Sequence, residues 1–347
     1  MKHLLLSAIL VVSLSTVKAQ SAPTAQSTAE NLTPQQKFES ARDLASHGRL
    51  DQAMALLDEL AATTPEPAGV ERLRGLILYQ RDKLTDAVEA FKKAVQQDPA
   101  DKEAIEMEGV SLFRLGRPAD AVPLLETSRT TVLNANIDPQ YVLALCYIDT
   151  DRYDDARHAF AAQFDFPPDS AEAYLLSARM FLRRDFPDQA IAAARKAIVL
   201  NPKLALAHQL LGEAALAKAD IPAAITDLQA EIADNPMEPA AYERLGDAYV
   251  RAGKYNDARV ALNRAVLLEP GATAPFILLG QAFLKLQQPI EALHYLTHAA
   301  KMDPNNYVTH NLLGQAYKAT GQLAEANREF KLVVELQQKQ NSAASGK

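Results

Sequence analysis

The chain has 347 residues, 48% of them hydrophobic, 6% aromatic and 23% charged, with one cysteine, no tryptophan and a formal net charge of −7. That apolar content excludes a disordered chain, and the acidic balance excludes a general nucleic-acid or anionic-membrane binder, which needs basic stripes to displace counterions. The lone Cys146 excludes an internal disulfide, so packing alone must stabilise the fold.

The first segment has the layout of a secretory leader. Lys2 and His3 precede the apolar run Leu4–Leu14, and Val17-Lys18-Ala19 offers small residues at −3 and −1, placing cleavage after Ala19. A membrane anchor needs about 18 apolar residues, more than this run supplies. Residues 1–19 are therefore expected to be removed, leaving a periplasmic or extracellular protein with no membrane insertion. Loss of Lys2 and Lys18 takes the charge from −7 to −9. Residues 20–33 are small and polar and read as a disordered linker.

Thr33-Pro34-Gln35-Gln36 then announces a helix, with Thr as N-cap, Pro in the first turn and Gln at the third position. From Pro34 the chain repeats every 34 residues: 34–67, 68–101, 102–135, 137–170, 171–204, 205–238, 239–272, 273–306 and 307–340, with Asn136 as a single extra residue. Position 20 of every unit is Ala, from Ala53 to Ala326, and position 8 is always Gly or Ala, as in Gly75 and Gly246. Position 32 is Pro in seven units, from Pro65 to Pro304.

Positions 4, 7, 8 and 11 share one face of a first helix, where the small residue at 8 admits a second helix closely. A break follows near position 15, at Gly48, Gly116, Gly253 and Gly321 or at Asp82, Asp151 and Asp185, residues that tolerate the left-handed conformation ending a helix. The second helix carries Ala at 20 and a bulky residue at 24, such as Phe91, Phe160 or Phe330, and Pro at 32 stops it. Each unit is thus an antiparallel helix pair that needs neighbours to bury its apolar faces. The third unit departs most, with Ser128 and Leu133 off pattern, which places an irregularity near 126–138. The last helix carries Leu332, Val334 and Leu336 besides Phe330 and Val333, so a homotypic or partner contact through it is expected, followed by a flexible tail at 341–347.

These columns resemble the tetratricopeptide repeat family. Its W/Y-x2-L-G-x2-Y…A…P signature appears as Tyr242, Leu245, Gly246, Tyr249, Ala258 and Pro270, and again around His310, Leu313, Gly314, Tyr317 and Ala326. The resemblance spans residues 34–340 and implies an all-α, right-handed superhelical solenoid of about nine helix-turn-helix repeats.

It also implies a concave partner surface on first-helix positions 2, 5, 9, 12 and 13. In the second to fifth units these include Arg72, Leu76, Tyr79, Phe113, Arg114, Tyr141, Leu145, Ile148, Leu175, Arg179, Leu182 and Arg183, and arginines and aromatics are the side chains that most often carry interface energy. Further on, Glu213, Glu243 and Asp247 make the same surface anionic. The Lys/Asn carboxylate clamp of some family members is not matched at positions 5 and 9.

No nucleophile elbow, phosphate loop, dinucleotide fingerprint or metalloprotease motif occurs in the sequence. Cys146, within VLALCY, reads as a buried inert thiol. His294 and His298, spaced i and i+4, with His310 on the next helix, are the one set with metal-like spacing. No cofactor is expected. The reading is of an exported, non-enzymatic protein-interaction scaffold that binds partner peptides or helices. By resemblance, exported arrays of this type often serve envelope assembly, secretion or polysaccharide export. The alternative is an accessory subunit of a polysaccharide-handling or enzyme complex.

Overall fold

The computed structural model describes residues 32–128 and 138–345. The leader 1–19, linker residues 20–31 and the stretch around Asn136 lie outside them. Among the described residues every regular element is a helix, and the chain divides into two units after Ala104.

The first unit holds α1 (Pro34–Ser46), α2 (Leu50–Ala61), α3 (Val70–Gln80) and α4 (Leu84–Gln97). The second, from Ile105, holds all but the first turn of α5 (Lys102–Arg114), then α6 (Pro118–Thr127), α7 (Pro139–Asp149), α8 (Tyr153–Gln163), α9 (Ala171–Arg183) and α10 (Pro187–Leu200). It continues through α11 (Ala207–Ala217), α12 (Ile221–Asp234), α13 (Pro239–Arg251), α14 (Tyr255–Leu268), α15 (Thr273–Lys285), α16 (Pro289–Met302), α17 (Tyr307–Ala319) and α18 (Leu323–Ser345).

Successive helices pair as hairpins, and the repeat columns explain how. Ala at position 20 is buried in every hairpin. Where position 8 is Gly, it lies under the bulky residue at position 24 of its own hairpin: a Cβ on Gly75 would stand 2.6 Å from the Phe91 ring, and one on Gly212 2.5 Å from Leu228. Those distances leave no room for a methyl group, so the close approach of the two helices depends on its absence. Phe91, Phe160, Leu125, Leu228, Leu262 and Leu296 are all fully buried at position 24.

The turn between paired helices is the same throughout. Position 15 adopts positive φ in every unit, between 59° and 81°, at Gly48, Asp82, Gly116, Asp151, Asp185, Ala219, Gly253, Gln287 and Gly321. The Gly and Asp positions follow the sequence expectation; Ala219 and Gln287 do not advertise the turn they make.

Thr33 caps α1 in a full capping box with Gln36. At the other end the structure corrects one boundary. The segment from Asn341 is helical up to Ser345, because α18 meets no Pro or Gly between Leu323 and that residue, and Gln338 stands where seven units have Pro. On α18, Leu323 and Val334 are exposed.

Candidate functional site

First helices of the second unit lie beside one another, α9 against α11, α11 against α13, α13 against α15 and α15 against α17. Position 12 of each is therefore repeated along one face. From α5 to α15 it reads Phe113, Ile148, Leu182, Leu216, Val250 and Leu284, of which Ile148, Leu216 and Val250 are buried and the others half-buried. This apolar spine is the floor of the candidate site. Position 13 flanks it with Arg114, Asp149, Arg183, Arg251 and Lys285, while position 9 flanks it with Arg179, Glu213 and Asp247. In α11, position 13 is the exposed Ala217.

That alanine leaves a cavity. Leu182, Leu216 and Ala217 form its apolar part, and Glu213, Arg244, Asp247 and Arg251 its polar walls, around a volume of about 300 Å³. Arg251 grips Asp247 one turn back, with Nη2–Oδ2 at 2.8 Å. Arg244 bonds Glu243 through Nη1 at 3.0 Å and stands 3.4 Å from Glu213 Oε1 through Nε. Glu213 Oε1 also accepts from Gln209 Nε2 at 3.0 Å. The nine-tenths-buried Gln209 carboxamide leaves its own Oε1 without a partner.

Glu243, bonded by Arg244, stands beside the cavity. Burial pushes the Glu243 carboxyl above the ordinary glutamate value; Arg244 opposes the shift, and Glu269, Asp247 and Glu213 add to it.

The residues expected from sequence to line a partner surface divide into three groups. Arg72 is committed elsewhere: its Nη1 donates to both Asp101 oxygens, at 3.0 and 3.1 Å, and Nε stands 3.3 Å from Glu103. Arg72 and the half-buried Tyr79 belong to the first unit. In the second unit, Phe113 lies under the Arg184 guanidinium at 5.8 Å, and Tyr141 packs on Phe160 with ring centroids 6.0 Å apart. Leu175 is half-buried and Arg114 exposed at the end of α5. Arg179 and Arg183, one turn apart on α9, are exposed and form no ion pair among the described residues.

The histidines do not meet as a metal site. His310 is buried, with Nδ1 2.6 Å from Glu329 Oε2 and Nε2 3.0 Å from the Pro304 carbonyl, so both ring nitrogens are engaged in tying α17 to its surroundings. His298 is exposed and packs on the Phe276 ring at 4.5 Å, and His294 is an exposed neighbour of Tyr295. Among the described residues no three His, Cys, Asp or Glu side chains gather around a point that a metal ion could occupy. Cys146 is fully buried, and burial pushes its thiol up to about 12.

Sequence reasoning missed two contributors. Arg184 bonds Asp149 through Nε at 3.2 Å while covering Phe113, which links three consecutive hairpins. Arg244 stands at a position outside the expected surface set, yet lines the cavity. The signal that finds them is charge pairing at the repeat spacing: Arg184 and Asp149 are 35 residues apart, Arg244 and Glu213 31.

Comparison with known proteins followed the same columns. Tetratricopeptide repeat models match residues 38–102, 141–205, 210–275 and 283–346, and a model described as anaphase-promoting complex, cyclosome, subunit 3 matches 80–163. No curated protein matches the chain. Among solved structures, the crystal structure of MamA is 22% identical, with a TM-score of 0.44, over 48% of this chain and 96% of that one. MamA 41-end from Desulfovibrio magneticus RS-1 is 22% identical with a TM-score of 0.46, over 49% of this chain and 96% of that one. A chain of the APC/C hetero-tetramer Cut9-Hcn1 is 18% identical with a TM-score of 0.48, over 88% of this chain and 64% of that one.

Proposed function

Because the chain belongs to the tetratricopeptide repeat family, we propose that it is a non-catalytic protein-interaction scaffold whose partner lies as an extended segment along the first-helix face of the second unit. One observation carries this reading. Arg179 and Arg183 are exposed and without ion pairs among the described residues, beside the apolar floor of Leu182 and Leu216. Many other arginines are neutralised at close range, as in Arg72–Asp101, Arg74–Asp58, Arg81–Asp51, Arg152–Asp155 and Arg157–Asp169, while Arg49, Arg195 and Arg328 are exposed without an ion pair among the described residues but stand singly. In an acidic chain, two adjacent arginines left for solvent beside an apolar strip have the composition of a binding surface.

The sequence of residues 1–19 supports action outside the cytoplasm, after removal of the leader. Mass spectrometry of the mature protein should then find Gln20 at its N-terminus. The binding reading is tested by crosslinking and co-purification from cells making either the wild-type protein or Arg179→Glu/Arg183→Glu. The expected result is a protein partner recovered with wild type and lost with the double variant, with an unchanged thermal melt. Full retention of every partner by the variant would sink the reading. Recovery of glycan without protein would favour the accessory-subunit alternative.

A further inference from the structure

The carboxylates that could neutralise Arg179 and Arg183 from neighbouring helices are already engaged. The first helices before and after α9 carry Asp149 and Glu213 at the corresponding flanking positions. Asp149 is bonded by Arg184 through Nε at 3.2 Å. Glu213 Oε1 takes Arg244 at 3.4 Å and Gln209 at 3.0 Å. One first helix further, Asp247 is held by Arg251 at 2.8 Å. Glu172, the only acidic residue of α9, lies two turns before Arg179, about 10 Å along the axis, and forms no ion pair among the described residues. The charges around the Ala217 cavity therefore pair with one another. What stays uncompensated is the pair of exposed guanidinium groups on α9, beside Leu182, Leu216 and Ala217.

Resting on the binding reading above, we infer that the bound segment is acidic: it presents two carboxylates at alternate positions to Arg179 and Arg183, and an aliphatic side chain to Leu182, Leu216 and Ala217. The two arginines stand about 6 Å apart along α9, and alternate side chains on one side of an extended chain are about 6.6 Å apart, so a single Asp/Glu-x-Asp/Glu stretch engages both. Each guanidinium is planar and can take a carboxylate through two parallel N–H donors. The aliphatic floor selects a protein segment over a bare phosphate group, which has nothing to place on Leu182 and Leu216. A basic segment would meet the same two charges with no carboxylate to offset them, which costs affinity.

Selection from a displayed library of random peptides of about twelve residues, an extended reach of about 40 Å, tests this on the immobilised protein. Wild type should enrich sequences with Asp or Glu at alternate positions beside Leu, Ile or Val. Arg179→Gln/Arg183→Gln should lose that enrichment with an unchanged thermal melt. Arg179→Glu/Arg183→Glu should enrich Lys or Arg in place of the acids, a swap that misfolding does not produce. In fluorescence anisotropy, a synthetic copy of the leading peptide should bind wild type about tenfold more tightly than its version with both acids changed to amides. The two peptides should bind the Gln variant within about twofold of each other. Sequences recovered by wild type and lost with the Gln variant, but free of acidic residues, overturn the acidic assignment and leave the binding surface standing. Displacement of the leading peptide by about 10 mM inorganic phosphate at constant ionic strength assigns the arginines to a phosphate group and overturns it as well. No enrichment of any sequence by wild type over the Gln variant overturns both the assignment and the surface.

Discussion

Glu231 of α12 accepts the backbone amide of Leu206 at 2.8 Å, so one hairpin's second helix caps its own first helix. The carboxylate also takes the Gln209 amide at 3.2 Å and the Asn235 side chain at 2.7 Å, and it is almost completely buried. Six other first helices carry a side-chain cap of their own, at Thr33, Asp101, Asp138, Ser170, Glu238 and Asn306. The N-cap of α11 is Leu206, which has no such side chain. Orphan amides at a buried helix start are costly, and Glu231 removes that cost from a distance. Glu231→Ala is therefore expected to destabilise the protein by about 2 kcal/mol in chemical denaturation. Hydrogen exchange should show the first turn of α11 opening before the rest of its hairpin; uniform exchange along α11 would contradict the capping role.

The turn residues give a prediction of opposite sign. Ala219 and Gln287 hold φ of 59° and 60°, where a Cβ crowds the following carbonyl at a cost of about 1 kcal/mol or more. Gly48, Gly116, Gly253 and Gly321 occupy the same turn in other hairpins, so glycine is compatible with it. Ala219→Gly and Gln287→Gly should each stabilise by about 0.5–1 kcal/mol after the entropic penalty of glycine in the unfolded chain. Glycine at a helix-interior site such as Ala214 should destabilise instead, and additive melting shifts in the double turn variant would confirm two independent sites.

These two turns mark where the sequence is legible and where it is not. Ala at 20, the small residue at 8 and Pro at 32 reveal the hairpins because each solves a local steric problem with one residue type. Ala219 and Gln287 are silent because the packed helices on either side impose the turn on a residue that does not favour it. The same contrast separates Arg72 from Arg179. Both stand on the expected partner surface, but only Arg72 has a carboxylate at Asp101, 29 residues ahead, to bond it. Which charges are satisfied depends on residues that the repeat columns do not specify, here Asp101 at the end of the same repeat and Glu103 at the start of the next. The cavity at Ala217 is harder still to foresee, since it is defined by a side chain that is missing relative to Arg183 and Arg251.

Cys146 supplies a chemical readout of the packing around α7. Its thiol is fully buried and pushed up to about 12, chiefly by desolvation, with Asp149 adding to the rise and Arg184 opposing it. Thiolate is the reactive form, so the native protein should resist a thiol-specific disulfide reagent at pH 8 and react fully once denatured. Arg184→Gln removes the bond that ties Asp149 and should speed the native reaction by loosening this region. Prompt labelling of the wild-type native protein would contradict the burial.

Glu71 yields a pH dependence whose sign follows from its surroundings. The side chain is almost wholly buried in α3, Oε2 has no partner, and Arg74 Nε stands 3.5 Å from Oε1. Burial pushes its carboxyl above the ordinary value of 4.5; Arg74 and Lys93 pull it down, and Glu66 adds to the rise. A folded protein that holds this proton more tightly than the unfolded chain gains stability from it below pH 4.5 and loses that contribution as pH rises through the folded value. At neutral pH the wild type therefore carries a buried, incompletely bonded carboxylate. Glu71→Gln removes the charge and keeps the shape, while Arg74 retains Asp58 at 2.6 Å and the Leu57 carbonyl at 3.0 Å. The variant should be more stable than wild type by about 1 kcal/mol at pH 7 and equal to it near pH 4. A stability difference that stays constant across that range, or a variant less stable at pH 7, would show that the Arg74 attraction outweighs the cost of burial.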